Sequence, residues 1–204
     1  QTLIKTLTGF KYIGEQIKLF EQNGEHSYQF GFEESYGCLV GTHARDKDAV
    51  VAVMALCEAA AYYRTQGKTL WDQMLTIFDT YGYYKEDLYT ITLKGIEGTQ
   101  KIQEIMDNLR KQTPEQIGSY KVLEFYDYKE DVKKDMVTGE VGKSGLPKSN
   151  VLYFALENDT WCCARPSGTE PKLKFYMGVK GSSMQDAIGQ LEDLTAAVKE
   201  MAGV

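Results

Sequence analysis

Hydrophobic and polar positions first divide the chain into elements. Residues 48–66 are apolar on most faces of a helical projection, with Asp46 or Asp48 as N-cap and Gly67 as the stop. A helix with so little polar surface belongs inside a fold, so this one is expected to be buried. Thr69-Leu70-Trp71-Asp72 then reads as a capping box, and Leu70, Met74, Ile77 and Phe78 keep one apolar face as far as Tyr81, before Gly82 ends the helix. Ahead of this pair, residues 28–32 alternate as an aromatic strand, residues 11–20 form a short helix, and a first strand lies at residues 2–7. The order strand, helix, strand, helix, helix suits an α/β layer in which helices cover a sheet. It supplies too few strands for a complete sheet, so residues 1–82 read as part of a domain.

The second half has a different rhythm. Residues 88–93 read as a strand, and residues 98–111 as a helix with Ile102, Ile105, Met106 and Leu109 on one face, ended by Pro114. Strands follow at residues 121–126, 151–157 and 172–179, several of them expected to pair antiparallel. A last helix, capped by Ser182 or Ser183, aligns Met184, Ala187, Ile188, Leu191, Leu194, Thr195 and Val198. Residues 130–148 are polar and glycine-rich and read as a hairpin or surface loop. Residues 83–204 are therefore expected to form an α+β domain.

Composition narrows the setting. The 204 residues are 43% hydrophobic and 25% charged, as in a folded globular chain with room for one large domain or two ordinary ones. The longest apolar stretch, starting at Ala49, is too short for a bilayer and is broken by Glu58, so no membrane segment is expected. No targeting signal opens the chain, and its start at Gln1 suggests a truncated sequence. Four cysteines, at 38, 57, 162 and 163, lack zinc-site spacing and disulfide density, which suits a reducing cytoplasm. A net charge of −6 opposes broad contact with nucleic acid, so an anionic ligand would need a local pocket.

Two segments have compositions suited to such a pocket. Arg165-Pro166-Ser167-Gly168-Thr169-Glu170-Pro171-Lys172 joins two strands. Its guanidinium, hydroxyls and glycine can grip an oxyanion, although the same residues also make an ordinary hairpin turn. Gly31-Phe32-Glu33-Glu34-Ser35-Tyr36-Gly37 follows a strand and is placed at a sheet's carboxyl edge, where carboxylates and a hydroxyl could read sugar hydroxyls. A solvated acidic loop is the plain alternative. Glycoside hydrolysis fits poorly, because adjacent strand residues point to opposite faces.

These two segments, together with Thr8-Gly9-Phe10-Lys11 and Arg45-Asp46-Lys47-Asp48, resemble the α-phosphohexomutase family in order and separation. The Glu-Glu-Ser-x-Gly form is similar to the phosphoglucomutase-type branch. The resemblance implies a four-domain parent, with residues 1–82 as part of the third domain and residues 83–204 as the fourth, a TATA-binding-protein-like antiparallel sheet with helices on one face. It implies that Glu33 and Ser35 read the hydroxyls of a hexose phosphate, with Thr8, Gly9, Lys47 and His43 nearby. Arg165, Ser167, Gly168 and Thr169 would hold the phosphate that is not transferred. Ala49 stands where the family usually has glycine after the Lys-Asp pair. The implied reaction interconverts glucose 1-phosphate and glucose 6-phosphate through a phosphoserine and glucose 1,6-bisphosphate, with Mg2+ offsetting charge. A phosphopentomutase, a phosphomannomutase, a glucose-1,6-bisphosphate synthase and a non-catalytic phosphosugar-binding module are the other readings.

No Ser-His-Asn nucleophile loop and no Asp-Gly-Asp metal loop occurs in the sequence. The chain is therefore expected to be catalytically inactive without the N-terminal domains of its parent, and to contain no catalytic or metal residue. Gly139-Glu140-Val141-Gly142-Lys143-Ser144 resembles a nucleotide-binding loop, but Val137 replaces its first glycine and no strand precedes it. Cys162 and Cys163 read as packing residues, and His26 as a surface residue.

Overall fold

The computed structural model describes residues 2–33, 37–168 and 170–203. They form two compact units, Gln1–Thr76 and Ile77–Val204.

In the first unit, helix α1 (Phe10–Asn23) starts after Gly9, whose φ of 126° is a conformation side chains disfavour, and stops at left-handed Gly24. Its buried face, Phe10 and Ile17, packs with Leu39 into a small core bordered by Ile13, Tyr28 and Ala44. Strands β1 (Phe30–Phe32) and β2 (Cys38–Val40) make an antiparallel hairpin with Phe30 opposite Val40 and Phe32 opposite Cys38. Helix α2 (Ala49–Thr65) is capped by Asp48, whose side chain accepts from the Val50 and Val51 N–H groups. Helix α3 (Leu70–Tyr81), whose last turn already belongs to the second unit, opens on the expected capping box: the Asp72 carboxylate accepts from the Thr69 N–H at 2.7 Å, and the Asp72 N–H donates to Thr69 Oγ1 at 3.1 Å.

Three expectations for this half change. Residues 2–7 form no strand, because a strand needs a neighbour's peptide groups and no described segment pairs with them. The acidic motif joins two antiparallel strands and does not end a strand at a parallel sheet's carboxyl edge, so the order is helix, hairpin, helix, helix. Helix α2 has no buried residue, and Val50, Val53, Met54 and Leu56 are exposed. The described strands of the unit, three residues each, cannot cover a helix of 17 residues.

The second unit is an antiparallel sheet with two helices. Its elements are β3 (Tyr83–Thr92), α4 (Gly95–Lys111), β4 (Gln116–Ile117), β5 (Tyr120–Asp127), β6 (Val132–Asp135), β7 (Val141–Gly142), β8 (Leu152–Leu156), β9 (Trp161–Pro166), β10 (Lys172–Gly181) and α5 (Met184–Ala202). The strands lie in the order β3-β10-β9-β8-β5-β6-β7, and β4 adds to β5. Alternate residues face the helices: Leu152, Phe154, Cys162, Ala164, Leu173, Phe175 and Met177 share one core with Ile102, Met106 and Leu109 of α4 and Leu191, Leu194 and Val198 of α5. Ser183 caps α5. Residues 130–148 contain the β6–β7 hairpin, and β3 begins five residues before the apolar run that marks it in the sequence. Tyr83 already pairs with Gly181, so backbone pairing, not side-chain apolarity, carries that extension. No helix among the described residues is long and apolar enough to cross a membrane.

On the opposite face, Trp161 lies across Gly178, where a Cβ would stand 2.3 Å from the indole Nε1. Tyr153 stacks beside Trp161 and meets Tyr126 edge-on. At the other end of the core, the Arg110 side chain on α4 is 11% exposed and donates from Nε to Asp127 of β5 at 3.0 Å, and it also bonds Asn150.

Candidate functional site

In the first unit, segments far apart in the chain meet on one carboxylate. Because Gly9 precedes the first turn of α1, its N–H has no partner within the helix, and it donates to Glu33 Oε1 at 2.8 Å. Glu33 sits at the mouth of the β1–β2 hairpin, where its own N–H donates to the Gly37 carbonyl. Lys47 Nζ reaches Glu33 Oε2 at 2.9 Å and Asp46 Oδ1 at 3.0 Å, and lies 4.8 Å from the centre of the Phe10 ring. The hydrogen bond to Glu33, then that to Asp46, raises the Lys47 pKa. The Glu33 side chain is only 14% exposed, yet each oxygen has a second lone pair available to a hydroxyl donor.

One turn away, His43 Nε2 lies 2.8 Å from Asp48 Oδ2, while Oδ1 of the same carboxylate caps α2. His43 is the leading cause that holds the Asp48 carboxyl below its usual range, followed by the Val51 N–H. The Asp48 N–H donates to the Cys38 carbonyl, tying this loop to β2. Arg45 is committed elsewhere: it makes bonds of 2.6 and 2.7 Å to Glu21 and donates to the Thr42 carbonyl.

The second unit carries the other loop on the β9–β10 hairpin. Arg165 is still in β9, opposite Lys174, on the face away from the core-facing Ala164. Among the described residues its guanidinium has no hydrogen-bond or ion-pair partner. The Ser167 N–H donates to the Lys172 carbonyl at 2.8 Å, and Lys172 pairs with Glu170 at 2.9 Å. Gly168 is exposed, and a Cβ there would meet nothing within 4 Å, so the backbone is open to close approach.

The structure thus brings Gly9, Glu33 and Lys47 into direct contact and links His43 to the same loop through Asp48. Thr8 is exposed beside Gly9. Arg165, Ser167 and Gly168 share one hairpin. Ser35 and Thr169 lie outside the described residues. Sequence reasoning offered Asp46 and Asp48 as alternative helix caps and counted both, with Phe10, in the family motifs, but gave none of the three a role in the site. The alternation Arg45-Asp46-Lys47-Asp48 contained the signal, since such a run either neutralises itself or presents a paired lysine.

Residues 1–81 match the family model for the phosphoglucomutase/phosphomannomutase alpha/beta/alpha domain III. Over 177 residues, a stretch longer than that domain, the chain is 37% identical to a phosphoglucomutase of Staphylococcus epidermidis, an alignment covering 86% of this chain and 32% of that protein. The chain belongs to the phosphoglucomutase/phosphomannomutase family. A phosphoglucomutase of Staphylococcus aureus is 36% identical over 182 residues, covering 89% of this chain and 32% of its own length. This member of the family thus spans about a third of the length of the curated relatives it matches. In fold it is similar to the crystal structure of the Paramecium phosphoprotein pp63/parafusin, a phosphoglucomutase in an open form. The TM-score is 0.57 at 16% identity, over 97% of this chain and 34% of that one.

Proposed function

We propose that this chain is the C-terminal part of a phosphoglucomutase that interconverts glucose 1-phosphate and glucose 6-phosphate through a phosphoserine and glucose 1,6-bisphosphate. Its domain junction is placed at Gly82 and Tyr83, and the parent acts in the cytoplasm. The observation that carries the reading is the meeting of three separated segments, through Gly9, Glu33 and Lys47, on one carboxylate. A carboxylate held in place by an N–H and an ammonium keeps lone pairs directed at hydroxyls, which suits it to reading a sugar's epimers. Ser35, His43 and Thr8 complete the sugar-reading group. Arg165, with no protein partner among the described residues, is suited to bidentate contact with the phosphate that is not transferred, and Ser167, Gly168 and Thr169 are its neighbours in that task.

Among the described residues no group of three His, Cys, Asp or Glu side chains could hold a metal ion. These residues therefore do not fit a magnesium site, and no step assigned to them passes through one. Reading sugar hydroxyls in the first unit and gripping phosphate in the second, during a phosphoryl transfer made elsewhere in the parent, would each contribute by positioning.

A coupled assay with glucose 6-phosphate dehydrogenase tests the reading. The 204-residue chain alone should show no turnover, since it has no Ser-His-Asn loop. In the full-length parent, Arg165→Ala should raise KM by the equivalent of about 2–5 kcal/mol, the cost of removing one partner of a desolvated charge pair. Turnover by the chain alone, or unchanged kinetics in the variant, would count against the assignment.

A further inference from the structure

Asp48 contacts more than a helix cap requires. Its Oδ1 accepts from the Val50 and Val51 N–H groups at 2.8 and 3.2 Å, its backbone N–H is bonded to Cys38, and Oδ2 remains for His43 Nε2 at 2.8 Å. We infer that Asp48 is a positioning residue that holds His43 as the Nε2–H tautomer and leaves Nδ1 as a hydrogen-bond acceptor for a sugar hydroxyl. The inference rests on the sugar-phosphate reading of this loop.

The argument is one of donors and acceptors. An ionised carboxylate only accepts, so the nitrogen facing it carries the proton, and the other nitrogen of a neutral ring has a lone pair. Two helix N–H groups and the backbone bond to β2 fix the carboxylate, so its second oxygen points in one direction and orients the ring. Among the described residues Nδ1 has no hydrogen-bond partner. It lies on the side of Gly41, where an added Cβ would come no nearer than 4.0 Å. The His43 side chain is 49% exposed, leaving that nitrogen open to a ligand.

Asp48→Asn separates this role from capping. Asparagine caps helices as well as aspartate does, so its Oδ1 keeps the Val50 and Val51 bonds and its amide N–H2 takes the place of Oδ2. Facing a donor, His43 Nε2 must accept, and the proton moves to Nδ1. Long-range 15N–1H correlation spectra of the 204-residue chain, recorded where the imidazole is neutral, report the tautomer directly. Nε2–H is expected in the wild type and Nδ1–H in Asp48→Asn, with α2 amide shifts retained. Titration with glucose 6-phosphate should perturb His43 in the wild type and bind about tenfold more weakly in the variant, the worth of one hydrogen bond. A ring that stays Nε2–H in Asp48→Asn overturns the inference, as does equal glucose 6-phosphate affinity in the two proteins. If the tautomer switches but neither protein responds to glucose 6-phosphate, the sugar-site reading fails, and with it the acceptor role of Nδ1, while the hold on the ring stands. Should Asp48→Asn fail to fold, Asp48→Ser keeps a capping oxygen but is too short to reach the ring; an unchanged tautomer and affinity there would equally overturn the inference.

Discussion

Removing the Arg110 guanidinium tests what attaches helix α4 to the sheet that carries the β9–β10 hairpin. In Arg110→Met the aliphatic stem is kept and the charge is lost. Arg110 and Asp127 side chains are 11% and 6% exposed, with Nε to Oδ2 at 3.0 Å. Asp127 Oδ1 still accepts the Lys129 N–H at 3.0 Å, but its charge has no buried counterion, and Asn150 loses its donor as well. Breaking a buried pair from one side costs about 3–5 kcal/mol, because the remaining charge is uncompensated. At an m-value of about 2 kcal/mol/M the urea midpoint should fall by about 2 M. The assay is urea unfolding followed by Trp161 fluorescence in a Trp71→Phe background. The chain has two tryptophans, and Trp71, 62% exposed on α3, can be replaced at little cost. The double variant Arg110→Met, Asp127→Leu should recover most of the loss, since replacing both partners by apolar groups is often nearly neutral. A single-variant loss below about 1 kcal/mol, or a double variant no better than the single, would refute the claim that this pair is buried and mutually dependent.

Two further predictions concern the open face of the same sheet. Gly178→Ala places a methyl where the Trp161 indole lies, so the ring must move; a loss of about 1–3 kcal/mol and a red-shifted Trp161 emission are expected, and an unchanged spectrum would contradict the contact. Burial, the leading cause, pushes the Tyr153 hydroxyl up to about 12. Because the folded value lies above the unfolded one, near 10, the associated stability is intact below about pH 10 and is lost as pH rises toward 12. Ultraviolet titration of Tyr153→Phe against wild type should remove a tyrosine that ionises near pH 12, not one near pH 10.

The elements set by local chemistry could be read from the residues. Thr69 and Asp72 cap α3 through groups three residues apart, Ser183 caps α5 in the same way, and the alternation of Leu173, Phe175 and Met177 assigns β10 its buried face. The site motifs were legible for a different reason, since four short segments match one family in order and spacing. Only the tertiary structure decided which of their residues meet. Gly9 and Glu33 are 24 positions apart, and no periodicity predicts that an unpaired N–H at a helix start will find that carboxylate. Asp48 looked like a helix cap because capping is local, whereas its second oxygen answers to His43 across a loop. The expected burial of α2 failed on the same principle. Apolarity states that a helix favours cover, but cover is supplied by other segments, and the short β1–β2 hairpin does not provide it. Composition and spacing therefore determine caps, faces and motifs, while contacts between distant segments depend on how the chain closes in space.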